Sequence, residues 1–250
     1  MLRCEVYLEI GLGGECMAHL PALPGCVTRA AGREAALAAL PAAVGEHLAW
    51  LRHHGEPAPD LPAVPRFEVV GVNSGYAPFS RGDRAALFPP DRAPLGRDEL
   101  EVYIRLAGYA RADLLALVGD LAAETLDWRR GAKAMSIRQI LRHVGNAEQW
   151  YVSRLVGPET LPPEWDHDDE LPLDEFLAME RRIATERLRR LTDRELAAVA
   201  YPARWTGHPD EPWTARKALR RLLEHELEHT RHVRAVLAAR RARAVPSETP

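Results

Sequence analysis

The sequence predicts an α+β protein in which a small β-β-β-α-β unit over residues 1–75 precedes an all-α four-helix bundle over residues 97–241. Two observations carry this. Segments rich in strand formers lie in the first 75 residues and cease after Arg97, and beyond that point four long segments repeat their apolar residues every three or four positions. Residues 76–96 read as a linker, and residues 242–250, small and polar, as a flexible tail.

Residues 3–10 (Arg-Cys-Glu-Val-Tyr-Leu-Glu-Ile) roughly alternate, and after the glycine-rich turn at 11–14 a short apolar run, Cys16 to Leu20, follows. That pattern is a β-hairpin. A third strand is expected near Cys26 to Arg29, after a Pro- and Gly-containing turn. Gly32 to Arg52 places Leu37, Leu40, Val44, Leu48 and Leu51 on one helical face, with Pro41 and Gly45 disturbing its regularity. Proline-rich residues 56–65 end that helix, and Arg66 to Val72 reads as a fourth strand. The first bundle helix is expected over Asp98 to Ala122. The second follows Ser136 as N-cap and runs to Leu155, the third covers Leu173 to Leu191, and the fourth runs from Thr214, another capping residue, to Arg240.

Composition excludes several classes. The chain has 33 basic and 36 acidic residues, so its net charge of -3 gives no overall attraction for nucleic acid. Cys4, Cys16 and Cys26 are odd in number and form no C-x-x-C pair, so neither a disulfide framework nor a zinc ribbon is expected, and the thiols read as reduced. With no apolar run of about 18 residues and no apolar leader, the expectation is a cytoplasmic, membrane-free protein.

The chemistry concentrates on the fourth helix. Leu222, His225, His229, His232 and Val236 are spaced by three and four, so they share one seam between core-type residues. His225 and His229 lie one turn apart, a spacing that brings two imidazoles to one ion, and His143 sits at the edge of the second helix's apolar stripe. Three histidines would leave coordination positions for water or substrate; the other reading is that they are satisfied core or partly exposed residues. His225-Glu226-Leu-Glu-His229 also fits H-E-x-x-H, with Glu226 as a protease base, but no further ligand follows His232 except Glu248 in the tail. Glu148, Glu226 and Glu228 read as solvated helix-face charges, as do Arg216-Lys217, Arg220-Arg221 and Arg181-Arg182. Trp165-Asp-His-Asp-Asp-Glu170 reads as a polar turn rather than a second metal loop, and Trp205 and Trp213 as packed residues of a connection rather than as the lining of the site's mouth.

The segments Ala134-Met-Ser-Ile-Arg-Gln-Ile-Leu-Arg-His143, Ala147-Glu-Gln-Trp-Tyr and Leu223-Glu-His225-Glu-Leu-Glu-His229-Thr-Arg-His232-Val resemble the DinB/YfiT-like metal-binding helical bundles. The resemblance implies His143, His225 and His229 as ligands of a divalent metal ion, with zinc first and nickel, iron or manganese also compatible. It implies a metal-dependent enzyme of thiol-dependent S-transferase, isomerase or hydrolase type, acting on a small-molecule substrate that includes a low-molecular-weight thiol. The alternative is a non-catalytic regulatory or antitoxin-like binding protein with a structural metal or histidine cluster. Met135 stands where family members often carry Trp, and Arg231-His232 where many carry Gly-Gln. In the N-terminal unit, Tyr7-Leu-Glu-Ile, His19-Leu-Pro-Ala-Leu-Pro-Gly-Cys-Val-Thr, Arg33-Glu-Ala-Ala-Leu-Ala-Ala-Leu and Gly55-Glu-Pro-Ala-Pro resemble a HicB-type antitoxin domain. With no basic recognition helix in evidence, packing, homodimerisation or covering of a substrate is the role expected of this unit.

Overall fold

The computed structural model describes residues 3–59, 65–76, 84–156 and 171–244. Strand β1 (Arg3–Gly11) pairs antiparallel with β2 (Cys16–His19), and β2 pairs antiparallel with β3 (Val27–Ala30). β4 (Arg66–Tyr76) lies parallel to β1 on its other side, giving the order β3-β2-β1-β4. A parallel pair needs a crossover. Here helices α1 (Arg33–Ala38) and α2 (Leu40–His53) supply it. The single helix expected over Gly32 to Arg52 is therefore two. Pro41 has no N–H to donate and its ring crowds the carbonyl four residues earlier, so the helix stops and restarts with Pro41 in the new first turn. Val6, Tyr7 and Leu8 are consecutive and all buried, so both faces of β1 are covered.

The connection contributes one 3-10 turn, Pro89–Arg92, whose Phe88 and Asp91 side chains are fully buried. The bundle follows as α3 (Arg97–Val118), α5 (Ile137–Ser153), α6 (Leu173–Arg190) and α8 (Ala215–Ala244), with short helices α4 (Ala123–Asp127) and α7 (Asp193–Ala197) that periodicity did not predict. Both expected caps form: Ser136 and Gln139 make a capping box, and Thr214 Oγ1 accepts from the Lys217 N–H at 3.1 Å. α3 and α5 each pack against both α6 and α8. At the α5–α6 crossing a Cβ on Gly145 would stand 2.3 Å from Phe176 Cε1, so glycine sets how closely those helices approach. No helix among the described residues is long and apolar enough to cross a membrane.

The sheet and the bundle share one core, in which Val6, Leu8 and Leu23 join Leu100, Leu219 and Leu223. The turn before β3 is seated directly on α8. Gly25 has φ +89, and a Cβ there would meet Leu227 Cδ1 at 2.7 Å. This seating overturns the expectation of a solvated charged face at the start of α8. Lys217 is fully buried, donating to Glu211 Oε1 at 2.7 Å and lying 3.9 Å from the centre of the Trp213 ring. Arg220, equally buried, donates to both oxygens of Asp91 at 2.8–2.9 Å and to the Ala86 carbonyl at 3.0 Å. His19 of β2 faces Glu224 Oε1 at 3.0 Å. Residues 211–213 cover Lys217, residues 86–91 cover Arg220, and His19 brings the sheet against Glu224, so these charges are out of water on the side where solvent was expected.

Candidate metal centre

α5 and α8 are neighbours, and their adjoining faces bring His143, His225 and His229 together. One ring nitrogen from each lies within 4.8 Å of the others, and Nε2 of His143 is 3.0 Å from Nε2 of His225. The ring centres stand 4.4–4.9 Å apart. His232 continues the seam, its ring 5.8 Å from that of His229, but it stays outside the group.

The surroundings of all three imidazoles favour the neutral form. For His225 burial lowers the pKa well below the ordinary value, helped by His229, His143, Arg221 and Arg29. His229 is pushed down to about 3 by burial first and then by His143, His232 and Arg29. His143 is lowered by burial and by His232. A neutral imidazole presents a lone pair, the form in which histidine ligates metals. Nδ1 of His229 is buried with no hydrogen-bond partner among the described residues, an uncommon state for a polar atom. The 3.0 Å separation of two ring nitrogens is one that a single ion bridges at metal–nitrogen bonds of about 2.0–2.1 Å. The donor set therefore fits a divalent ion.

The three histidines open into a cavity of about 1170 Å³ between the bundle and the N-terminal unit. Its bundle wall includes Asn146, Trp150, Tyr151 and Arg221; its other wall is Met17, Thr28 and Arg29 of the sheet and Ala42, Ala43 and Glu46 of α2. Glu228 also faces it, its carboxyl raised above the ordinary value by burial. Trp205 and Trp213 divide: Trp213 is buried, whereas Trp205, half exposed at φ 55, lines the cavity. The Trp205 carbonyl accepts from Trp150 Nε1 at 2.6 Å, which fixes its loop to α5.

Residues 108–233, half of the chain, match the family model described as the DinB superfamily. The chain belongs to the DinB superfamily. A solved structure similar to it is that of YfiT from Bacillus subtilis, described as a probable metal-dependent hydrolase with an unusual four-helix bundle topology. The two share 20% identity over 64% of this chain and 94% of YfiT, with a TM-score of 0.44. Among curated proteins none matches.

In this DinB-superfamily chain the glutamate of the H-E-x-x-H pattern is turned away from the histidines. Each long helix contributes one charge to a closed square: Arg111 of α3, Glu226 of α8, Arg181 of α6 and Glu148 of α5, joined at 2.5–2.9 Å. Each oxygen of Glu226 accepts from an arginine, which holds its carboxyl low and turns it to the bundle axis, so it is poorly suited to take a substrate proton. The expectation that Glu148, Glu226 and Arg181 are solvated fails, because they project to the bundle axis. Trp165 to Glu170, read as a polar turn, lies outside the described residues. Sequence reasoning did not find Met17, Thr28, Arg29 and Arg221 as cavity residues; no local pattern signals them, since sheet and α8 are some 200 positions apart.

Proposed function

We propose that this chain is a metal-dependent enzyme in which His143, His225 and His229 hold one divalent ion, zinc first, at the wall of the cavity. The observation that carries this is the convergence of three imidazole nitrogens within 4.8 Å on a surface that faces open space. Three protein ligands leave room in the coordination sphere, as in catalytic rather than closed structural sites. Bound there, the ion supplies a Lewis acid beside which a thiol or water loses its proton near neutral pH. Thiol-dependent S-transfer and hydrolysis are the two reactions that this chemistry and the superfamily support, with a small molecule as substrate.

The protein's own part is positional. α8 holds two imidazoles at i and i+4, and the square of arginines and glutamates behind them fixes the four helices against one another. The N-terminal unit supplies the facing wall of the cavity through Met17, Thr28 and Arg29.

The test is metal content by elemental mass spectrometry on untagged protein, wild type beside the His225→Ala, His229→Ala double variant. Near-stoichiometric metal in the wild type, lost in the variant, is expected. A wild type that stays metal-free and resists reconstitution would sink the reading.

A further inference from the structure

The cavity wall carries four guanidinium groups, Arg29, Arg84, Arg221 and Arg231, against three carboxylates, Glu9, Glu46 and Glu228, so its charge is on balance positive. Several of these groups are already engaged. Arg231 donates to the Val27 carbonyl at 3.2 Å, Arg84 lies 5.5 Å from the centre of the Tyr76 ring, and Glu9 accepts from the Ala86 N–H at 2.5 Å. Arg221 differs. Its Nη1 donates to Glu224 at 2.8 Å, but its Nε–H is buried with no hydrogen-bond partner among the described residues, and its side chain is only 11% exposed. A buried guanidinium N–H without an acceptor is unfavourable unless something supplies one.

Arg221 also borders the cavity. Arg221 precedes His225 by one turn of α8, so a group held by it stands about 5–6 Å along the helix face from the histidine cluster. Arg29 brings a second guanidinium to the same cavity from the sheet side. The planar fork of arginine matches an oxyanion in two-point contact, and its charge does not depend on pH in the working range. Trp150, Trp205 and Met17 line the same space with apolar surface.

We propose that the chamber takes a small organic oxyanion, a carboxylate or phosphate ester. Arg221 and Arg29 hold the anionic group, and Trp150 and Trp205 the apolar body. What then happens to the substrate rests on the metal reading above; how it is held does not. In this assignment the N-terminal unit is part of the binding site, through Arg29, and sets which substrates enter.

The full-length protein, zinc-loaded and chelator-stripped in parallel, is titrated with benzoate, phenyl phosphate and neutral benzamide, with binding followed by calorimetry. At least one of the two anions should bind roughly tenfold or more tightly than benzamide in both forms, and the tighter of them identifies the oxyanion. Arg221→Met and Arg29→Ala should each weaken that anion by about tenfold while zinc content stays unchanged. Arg29 is exposed, so its variant keeps the test valid if loss of Arg221 disturbs folding. Benzamide binding as tightly as the anions, no anion binding up to about 10 mM, or anion binding that needs zinc and survives both substitutions overturns the proposal. A protein that takes up no zinc yet binds the anion through the two arginines retains it and removes only the metal reading.

Discussion

Helix α8 takes two sets of polar side chains out of water, and they are stabilised in opposite ways. Lys217, Arg220, Glu224 and Glu226 each meet an opposite charge or an imidazole at 2.5–3.2 Å. His225 and His229, on the turns between and beside them, meet His143 and each other, and Nδ1 of His229 meets nothing among the described residues. A paired buried charge is unfavourable to separate; an imidazole kept neutral without a partner is itself a cost carried by the fold. The first set ties the bundle to itself and to the sheet. The second is left incomplete where a ligand has access.

The largest effect should come from breaking the paired set. Asp91→Ala takes from buried Arg220 its two-point partner and leaves it only Glu224 as counter-charge, and Glu226→Ala leaves Arg111 and Arg181 short of an anion, so each should cost about 3–5 kcal/mol in urea unfolding. A loss under about 1 kcal/mol for both would mean the networks are not what holds the elements together.

Acid should act next, on imidazoles buried without a full set of partners, one of them outside α8. His47, buried in α2 with its Nε2 unpartnered, has its pKa lowered by burial to about 4, so between the unfolded value of 6.5 and that point the unfolded chain binds more protons than the fold. Its contribution is therefore fully present above about pH 6.5 and is lost as pH falls, by as much as about 3 kcal/mol near pH 4. His229, lowered to about 3, adds in the same direction. Denaturation of metal-free protein across this range checks the sign, and His47→Leu should flatten the curve.

Gly25→Ala is a smaller perturbation, at the seat of the sheet on α8. A methyl group there meets Leu223 and Leu227 in a left-handed backbone, for a cost of about 1–3 kcal/mol. An unchanged midpoint would mean the turn lifts away from the helix freely.

The smallest effect belongs to the site itself. In metal-free protein the His225→Ala, His229→Ala variant should lie within about 1 kcal/mol of wild type, because no strong partner is lost. A loss as large as that of Asp91→Ala would make the cluster a structural element and remove the contrast.

Much of this was legible because it is local. Ser136 before Ile137 and Ile140, and Thr214 before Ala218 and Leu222, combine a capping oxygen with a helical period, and the two bundle helices begin where those signals stand. His143, His225 and His229 were legible from seam position and from the superfamily pattern. Other features were not: the break at Ala39 follows from Pro41, which the period counts as one disturbed position rather than as an end. The charged start of α8 was misread, since nothing in Arg216 to Arg221 indicates that another element will cover it.

By itself, then, the sequence determined the order of the four strands and four long bundle helices, two of their caps and the seam positions of the three histidines, for each depends on residues a turn or a strand apart. Only the tertiary structure decided which of the other charges are buried, that Glu226 faces arginines rather than the cavity, and that the sheet forms the second wall of the site. Those outcomes depend on contacts such as Arg220 with Asp91 and His19 with Glu224, more than a hundred residues apart, where burial by a distant element sets the electrostatics and no spacing records it.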